Sequence, residues 1–183
     1  NTPQAHFTLK NGIWKKKKLA GNELAYKTLA LIGCGRIGQK VAHIAKRGFD
    51  MEIIGYDIKP CPESGIKFLT KEEALQKADY ISIHTGGRDI IIGAKEFDLM
   101  KPTVFIINTS RGNNIDQQAL YNALKEGKIA GYATDVYKEE PKKEDDPFND
   151  KLRELDNVVL SSHLGASTVE AQRETSIEIA RVL

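Results

Sequence analysis

A glycine-rich turn is the first feature of the sequence whose spacing could do chemistry. Gly33, Gly35 and Gly38 follow the apolar run TLALI and open a segment with helical periodicity. The first glycine permits a tight turn, the second lets the backbone approach a pyrophosphate, and the third lets the helix pack closely on its strand. Asp57, 19 positions after Gly38, is placed to accept hydrogen bonds from the adenosine ribose. The pattern predicts a dinucleotide site that prefers NAD to NADP, a preference that the nearby Lys59 leaves open.

Three other polar residues each follow a predicted strand. Arg111 lies in NTSRG, Glu140 in DVYKEEP and His163 in SSHLGAST. Because ligands bind outside the carboxyl ends of the strands in an open parallel sheet, these side chains are expected at one edge. The guanidinium group suits a carboxylate, and a histidine held by a carboxylate can take a proton from an alcohol. Taken alone, Arg111 could equally pair with a loop acid, and Glu139 could hold the histidine as well as Glu140.

The elements that must position these residues alternate along the chain. Short apolar runs predict strands, and the segments between them have helical spacing. Strands that alternate with helices predict an α/β fold, a doubly wound parallel sheet of the Rossmann type with helices on both faces. The predicted strands are 28–32, 51–57, 66–70, 80–84, 103–108, 129–136 and 157–162.

Helices are predicted where apolar residues recur at helical spacing beside a residue that can cap a helix end. The first, 36–47, is expected to stop at Gly48. Two of the others begin at capping boxes, which satisfy the free amides of a first turn. Their predicted starts are the box Thr70–Glu73, Asp116 (in a helix that runs to Glu126 before Gly127), and the box Ser167–Glu170.

Composition limits the classes of protein that fit. The 183 residues include 27 Lys and Arg against 25 Asp and Glu, a net charge of +2, which argues against a nucleic-acid partner. No apolar run approaches the roughly 20 residues of a membrane span, and the first residues do not form a secretory signal, so no membrane partner is expected. Cys34 and Cys61 lack metal-ligand spacing, and we interpret them as reduced thiols of a cytoplasmic protein without a metal site.

The sequence resembles the D-isomer-specific 2-hydroxyacid dehydrogenase family over nearly its whole length. The dinucleotide glycines, the stretch from MKPTVFIINTSRG to DVYKEEP, and SSHLGAST carry the likeness. In that family the arginine of N-x-x-R-G binds the substrate carboxylate and carbonyl, which implies this role for Arg111. The histidine before x-G-A/G is the catalytic acid/base, here His163. The glutamate five residues after the aspartate of D-V-[FY] is its partner, and counting from Asp135 this is Glu140.

The resemblance also implies which residues bind NAD. The loop 84–89 departs from the family because it has two glycines where a proline is usual, and Ser162 stands where proline is common. Neither departure touches the implied catalytic residues. The residues implied to contact the cofactor are Gly33, Gly35, Arg36, Ile37, Gly38, Asp57, Thr85, Thr109, Ser110, Arg111, Asp135, His163, Gly165 and Ala166.

The activity implied by the resemblance is oxidation of a small anionic 2-hydroxy acid with NAD. Two stretches are most similar to members that oxidise 3-phospho-D-glycerate in serine biosynthesis, HLGASTVEAQ and NGIWKKKKLAGNELAYKTLALIGCGRIG. Two alternatives remain at this stage. One is a glyoxylate or hydroxypyruvate reductase, and the other is a corepressor-like relative that uses NAD to control assembly without catalysis.

The domain organisation is also an expectation from the resemblance. Residues 1–27 have little periodicity and are interpreted as an arm, and residues 28–183 as the dinucleotide-binding domain. Because family members build a substrate domain from both chain ends, the chain is expected to be the NAD-binding half of a longer enzyme, with weak turnover by itself. The run Lys15–Lys18 is either solvated charge or part of a contact in a homodimer or larger homo-oligomer.

Overall fold

Seven parallel strands form one sheet in the computed structural model, which describes residues 1–182. They are β1 Thr28–Ile32, β2 Glu52–Tyr56, β3 Lys67–Phe68, β4 Tyr80–Ile83, β5 Phe105–Asn108, β6 Gly131–Thr134 and β7 Val158–Leu160. Their order across the sheet is β3-β2-β1-β4-β5-β6-β7. The chain builds outward from β1 in one direction and, from β4 onward, in the other. The predicted doubly wound parallel sheet is therefore confirmed.

Each predicted strand is present, but most are shorter than the apolar run that predicted them. Val104, Ile129 and Val136 are buried yet lie outside the strands. These side chains fill the core from the connecting loops, so an apolar run extends past the point where strand pairing stops.

Six α-helices accompany the sheet in the described part of the chain, residues 1–182. Asp116 accepts the Ala119 amide at 2.8 Å, which confirms it as a cap. The Thr70–Glu73 box is also present, because the threonine hydroxyl accepts the Glu73 amide and the glutamate accepts the Thr70 amide. The helices are α1 Thr2–Lys10, α2 Arg36–Phe49, α3 Lys71–Lys77, α4 Ala94–Phe97, α5 Gln117–Lys125 and α6 Val169–Val182.

Two predicted helix ends are wrong. Helix α2 continues through Gly48, and Asp50 is the residue that adopts the left-handed conformation, with φ of 52°. Glycine, which has no Cβ, can end a helix but does not have to. The box predicted at Ser167–Glu170 is wrong, because Thr168 caps the helix by accepting the Ala171 amide, and an alanine cannot make the second bond of a box. The Ser167 amide is bonded to Leu164 in the preceding turn, so the helix begins later.

The arm contains a helix that the sequence pattern did not predict. None of the residues of α1 is buried, so the helix has no apolar stripe for a periodicity argument to detect. A proline in its first turn favours a helix start. The Asn1 side chain donates to the carbonyl groups of Leu19 and Ala20, which folds the arm back on itself.

The core lies on both faces of the sheet. Ala30 and Ile32 of β1 belong to the apolar cluster that includes α3, α4 and α5, whereas Leu29 and Leu31 belong to the cluster under α2. This alternation is why β1 is apolar at every position. With both faces used for packing, polar side chains gather at the carboxyl edge of the strands.

Candidate active site

The glycine turn after β1 has the shape of a cradle for an anion. Gly33 has φ of 94°, and a Cβ there would lie 2.8 Å from the backbone of His84. A Cβ on Gly38 would overlap the Gly33 carbonyl oxygen. A Cβ on Gly35, by contrast, would meet no described protein atom within 4 Å. The first and third glycines are therefore required by the protein itself, while the second leaves open the space that a pyrophosphate would approach.

The end of β2 is tied directly to this turn. One carboxylate oxygen of Asp57 accepts the Cys34 amide at 2.7 Å, and the other accepts the Lys59 amide at 2.8 Å. Arg36 and Ile37 are exposed in the first turn of α2, where free helix amides favour an anion. The turn and the oriented carboxylate fit NAD. Burial, with a smaller effect of Asp57, raises the pKa of Cys34 to about 12, which disfavours the reactive thiolate form.

His163 and Glu140 form a pair. The Nδ1 atom of His163 lies 2.9 and 3.0 Å from the two carboxylate oxygens of Glu140. Because a carboxylate only accepts, Nδ1 carries a proton and Nε2 remains for other chemistry. Of the two glutamates that the sequence offered, Glu140 makes this contact. It also accepts the Tyr137 amide at 3.1 Å.

The Glu140 carboxylate is held in its charged form. Burial pushes its pKa up, but the hydrogen bond from His163 and the Tyr137 amide oppose this and bring the pKa below its ordinary value. The side chains of His163 and Glu140 are 51% and 36% exposed, so the pair faces solvent at the sheet edge. An ionised partner favours a histidine that must accept a proton.

Asp135 positions the loop that carries the histidine. Its carboxylate accepts the Ser161 hydroxyl at 2.6 Å and the amides of Leu164 and Gly165, each at 2.9 Å. Burial raises its pKa, but these three donors outweigh burial and the pKa falls below the ordinary value. His163 lies between the anchored residues with φ of 51°, a conformation that a non-glycine residue adopts only when its surroundings hold it there.

Arg111 sits on a neighbouring loop, immediately after β5. Its guanidinium group donates to the Ser110 carbonyl at 2.7 Å, and among residues 1–182 it forms no ion pair. The pairing with a loop acid, left open by the sequence, is therefore not seen in the described part of the chain. A Cβ on the next residue, Gly112, would overlap the backbone of Tyr137 and Lys138. The arginine loop is thus packed directly against the loop that carries Glu140.

Two buried asparagines support this edge, and sequence analysis did not select them. Asn108 and Asn114 are fully buried. Asn108 accepts the Ser110 amide and donates to the Arg111 carbonyl at 3.0 Å. Asn114 accepts the Thr85 hydroxyl at 3.0 Å, while the Ser110 hydroxyl lies 3.0 Å from both asparagine side-chain oxygens. Asn108 has a signal in the sequence, since it ends a buried strand and is the first residue of the N-x-x-R-G motif, whereas Asn114 stands in no such motif position.

The remaining predicted residues lie around the same edge. Thr109 is exposed beside the buried Ser110, and Gly165 and Ala166 are exposed just after His163. His84, which lies against the glycine turn, is bonded to Ser82 at 2.9 Å through Nε2. Burial lowers the pKa of His84, because the charged imidazolium is disfavoured there.

Two kinds of feature are absent from residues 1–182. No group of three or more His, Cys, Asp or Glu residues there could hold a metal ion. No helix in the same range is long and apolar enough to cross a membrane.

The switch point of the sheet, its glycine cradle and the acceptor at the end of β2 define a dinucleotide-binding domain. Residues 1–165 match the family model described as D-isomer specific 2-hydroxyacid dehydrogenase, NAD binding domain. The chain belongs to this family of NAD-dependent enzymes, and its cofactor is NAD.

Curated relatives agree on the family and differ in the substrate that their names give. A D-3-phosphoglycerate dehydrogenase of Methanocaldococcus jannaschii is 46% identical over 98% of this chain and 35% of its own length. A hydroxypyruvate reductase of Thermotoga maritima is 43% identical over 96% of this chain and 58% of its own length. The chain thus spans between about a third and three fifths of these relatives.

Solved structures share the fold. An acyclic imino acid reductase in complex with NADPH and D-Arg is 34% identical with a TM-score of 0.84, over 98% of this chain and 57% of that one. A D-lactate dehydrogenase with NAD+ from Lactobacillus jensenii is 28% identical with a TM-score of 0.82, over 97% of this chain and 58% of that one.

Proposed function

We propose that this chain is the NAD-binding half of an enzyme that oxidises 3-phospho-D-glycerate to 3-phosphohydroxypyruvate. This substrate is the one that the family resemblance implies. The observation that carries the proposal is the contact of 2.9 Å between His163 Nδ1 and Glu140 beside the Arg111 loop. The choice of substrate is supported by the similarity to D-3-phosphoglycerate dehydrogenases of Methanocaldococcus jannaschii and, at 39% identity, Archaeoglobus fulgidus. In this role the enzyme acts in serine biosynthesis.

Three residues of this chain have separate roles in the proposed reaction. When bound, NAD supplies a nicotinamide ring that accepts the hydride from substrate C2. Nε2 of His163 takes the proton of the 2-hydroxyl group, and Glu140 fixes the ring and stabilises its protonated form. Arg111 grips the substrate carboxylate with its planar group of donors. Holding these groups and the substrate in one geometry removes a large entropic part of the barrier.

A second candidate function is reduction of hydroxypyruvate or glyoxylate. It is favoured by 43% identity to the Thermotoga maritima hydroxypyruvate reductase and 40% identity to a glyoxylate reductase of Thermococcus litoralis. The same three side chains serve this reaction, with His163 donating the proton instead of accepting it.

The test is a substrate panel on the full-length protein that carries this chain. Stopped-flow NADH fluorescence would be followed with 3-phosphohydroxypyruvate, hydroxypyruvate and glyoxylate. We expect the phosphorylated acid to have the highest kcat/KM. A preference for either unphosphorylated acid would select the second candidate, and a flat response to all three, with NAD still bound, would favour a corepressor-like protein.

The role of His163 has its own test. His163→Ala should lower kcat by at least about 10²-fold, as expected when a general base is lost. The dissociation constant for NAD, measured by calorimetry, should change little because the glycine cradle is untouched. A variant that kept near-normal turnover would remove His163 from the catalytic role.

We further propose that residues 1–27 contribute to a homodimer and that the protein is cytoplasmic. The arm supports the first proposal because it exposes Phe7 and Trp14, by 69% and 78%. Sedimentation of Trp14→Ala against the unchanged chain tests it, and identical association would refute it.

A further inference from the structure

A polar cavity lies beside the catalytic loops, and none of the proposed catalytic residues lines it. Its volume is about 600 Å³, within the range of small-molecule sites in proteins. The wall is formed by the loop after β4, the loop between β5 and α5 with the start of α5, and the segment between β6 and β7. The second and third of these segments also carry Arg111 and Glu140.

The basic side chains of this cavity lack ion-pair partners, whereas its acidic side chains accept hydrogen bonds from the protein. Arg88, Lys138 and Lys151 line it, and none of them has a carboxylate partner among residues 1–182. The two carboxylates that line it accept hydrogen bonds from nearby amide groups of the protein and form no ion pair with these three cations. Asp116 caps α5, while Asp150 accepts the Gln117 side chain at 2.6 Å and the Leu152 amide at 2.9 Å.

An aromatic ring is also part of this wall. The Nζ atom of Lys151 lies 5.9 Å from the centre of the Tyr121 ring, within reach of a cation–π contact. This contact stabilises a charged amine at the cavity wall. The amine forms no ion pair among residues 1–182, so its charge remains available to a ligand. The cavity therefore offers three cationic donors to a ligand.

We propose that this cavity binds a small organic anion with two or more negative groups, at a site separate from the NAD cradle and from His163. Three cations around one space suit a ligand whose charge is divided between two ends. Both catalytic loops border the site. Lys138 lies two residues before Glu140, and the carbonyl groups on either side of Arg88 accept the Asn114 side chain.

The experiment is an NMR titration of the ¹⁵N-labelled chain with saturating NAD, so that the glycine cradle is filled. The probes are inorganic phosphate, succinate and acetate at constant ionic strength. We expect saturable shifts at the amides of Gln117, Gln118 and Asp150 with phosphate and succinate, and much weaker binding of acetate. The tighter of the two dianions would identify the ligand as a phosphate or a dicarboxylate.

Matched double variants separate a site from general charge effects. Lys138→Gln with Lys151→Gln should weaken dianion binding by about tenfold, since each exposed charge contributes modestly. Lys142→Gln with Lys143→Gln removes the same charge from the same segment outside the cavity wall and should leave binding unchanged. Equal losses in both variants, or shifts that never saturate, would overturn the proposal. The spectra themselves show whether each variant is folded.

Discussion

Replacing Gly112 with alanine should disturb the candidate active site through backbone contact alone. The residue does not have a positive φ, so alanine adds no torsional strain there. Its Cβ would instead overlap the Tyr137 carbonyl group and the Lys138 amide nitrogen. Both are main-chain atoms and cannot rotate away as a side chain would.

The neighbouring backbone is held from several sides, so it cannot yield cheaply. The Tyr137 amide donates to Glu140, and its hydroxyl donates to the Ser161 carbonyl at 2.7 Å. Its ring also packs edge-on against Phe148, with centroids 4.6 Å apart. Van der Waals contact requires about 3.5 Å between carbon atoms, so the arginine loop and the glutamate loop must separate by roughly an ångström or more.

We expect Gly112→Ala to lower the free energy of unfolding by about 1–3 kcal/mol, the usual cost of overpacking. In the full-length protein kcat/KM should fall by about 10²-fold, the effect of a displacement near 1 Å in a catalytic array. Urea unfolding and steady-state kinetics measure the two effects. NAD affinity should stay near its original value.

The control is Gly48→Ala, a glycine inside α2 whose Cβ would meet nothing within 4 Å. This variant should be more stable by about 0.5–1 kcal/mol, because alanine is favoured in a helix interior. If Gly112→Ala matched the unchanged protein in both stability and kcat/KM, the packing argument for the two loops would be wrong.

Three further variants test other contacts. Asp57→Asn should weaken NAD binding by about tenfold in calorimetry through loss of a charged acceptor, and unchanged affinity would remove its ribose role. The pKa of Asp135 is lowered in the folded protein, so this carboxylate contributes stability above its unfolded pKa, and that stability is lost as the pH falls toward the folded value. Asp135→Asn should flatten the acid limb of a urea-midpoint profile, and an unaltered limb would contradict this. Thr70→Ala should cost about 1 kcal/mol of stability by removing the α3 cap, without changing NAD affinity, and an unmoved urea midpoint would count against the cap.

The fold was predictable because its determinants are local. Alternating apolar runs, the glycine turn after β1, and the caps at Thr70 and Asp116 all act within a few residues. Where no local signal exists, prediction failed. Helix α1 buries none of its residues, and the end of α2 depends on Asp50 taking a left-handed conformation. The ends of the strands were also not predicted, because apolar side chains in the loops remain buried beyond the last paired residue of a strand.

The candidate site divides in the same way. By itself the sequence determined which residue types follow each strand, and with them the glycine cradle, Asp57, Arg111 and His163 as candidates. The residue pattern alone left Glu139 and Glu140 open, and the family resemblance implied Glu140. The tertiary structure brings the Glu140 carboxylate to the ring of His163.

The supporting contacts also belong to the tertiary structure alone. The histidine loop depends on three donors to Asp135, and the packing of Gly112 on Tyr137 joins two loops that are 25 residues apart in the chain. Such contacts form between segments that meet only after the sheet has assembled. The spacing of residues along the chain therefore does not predict them.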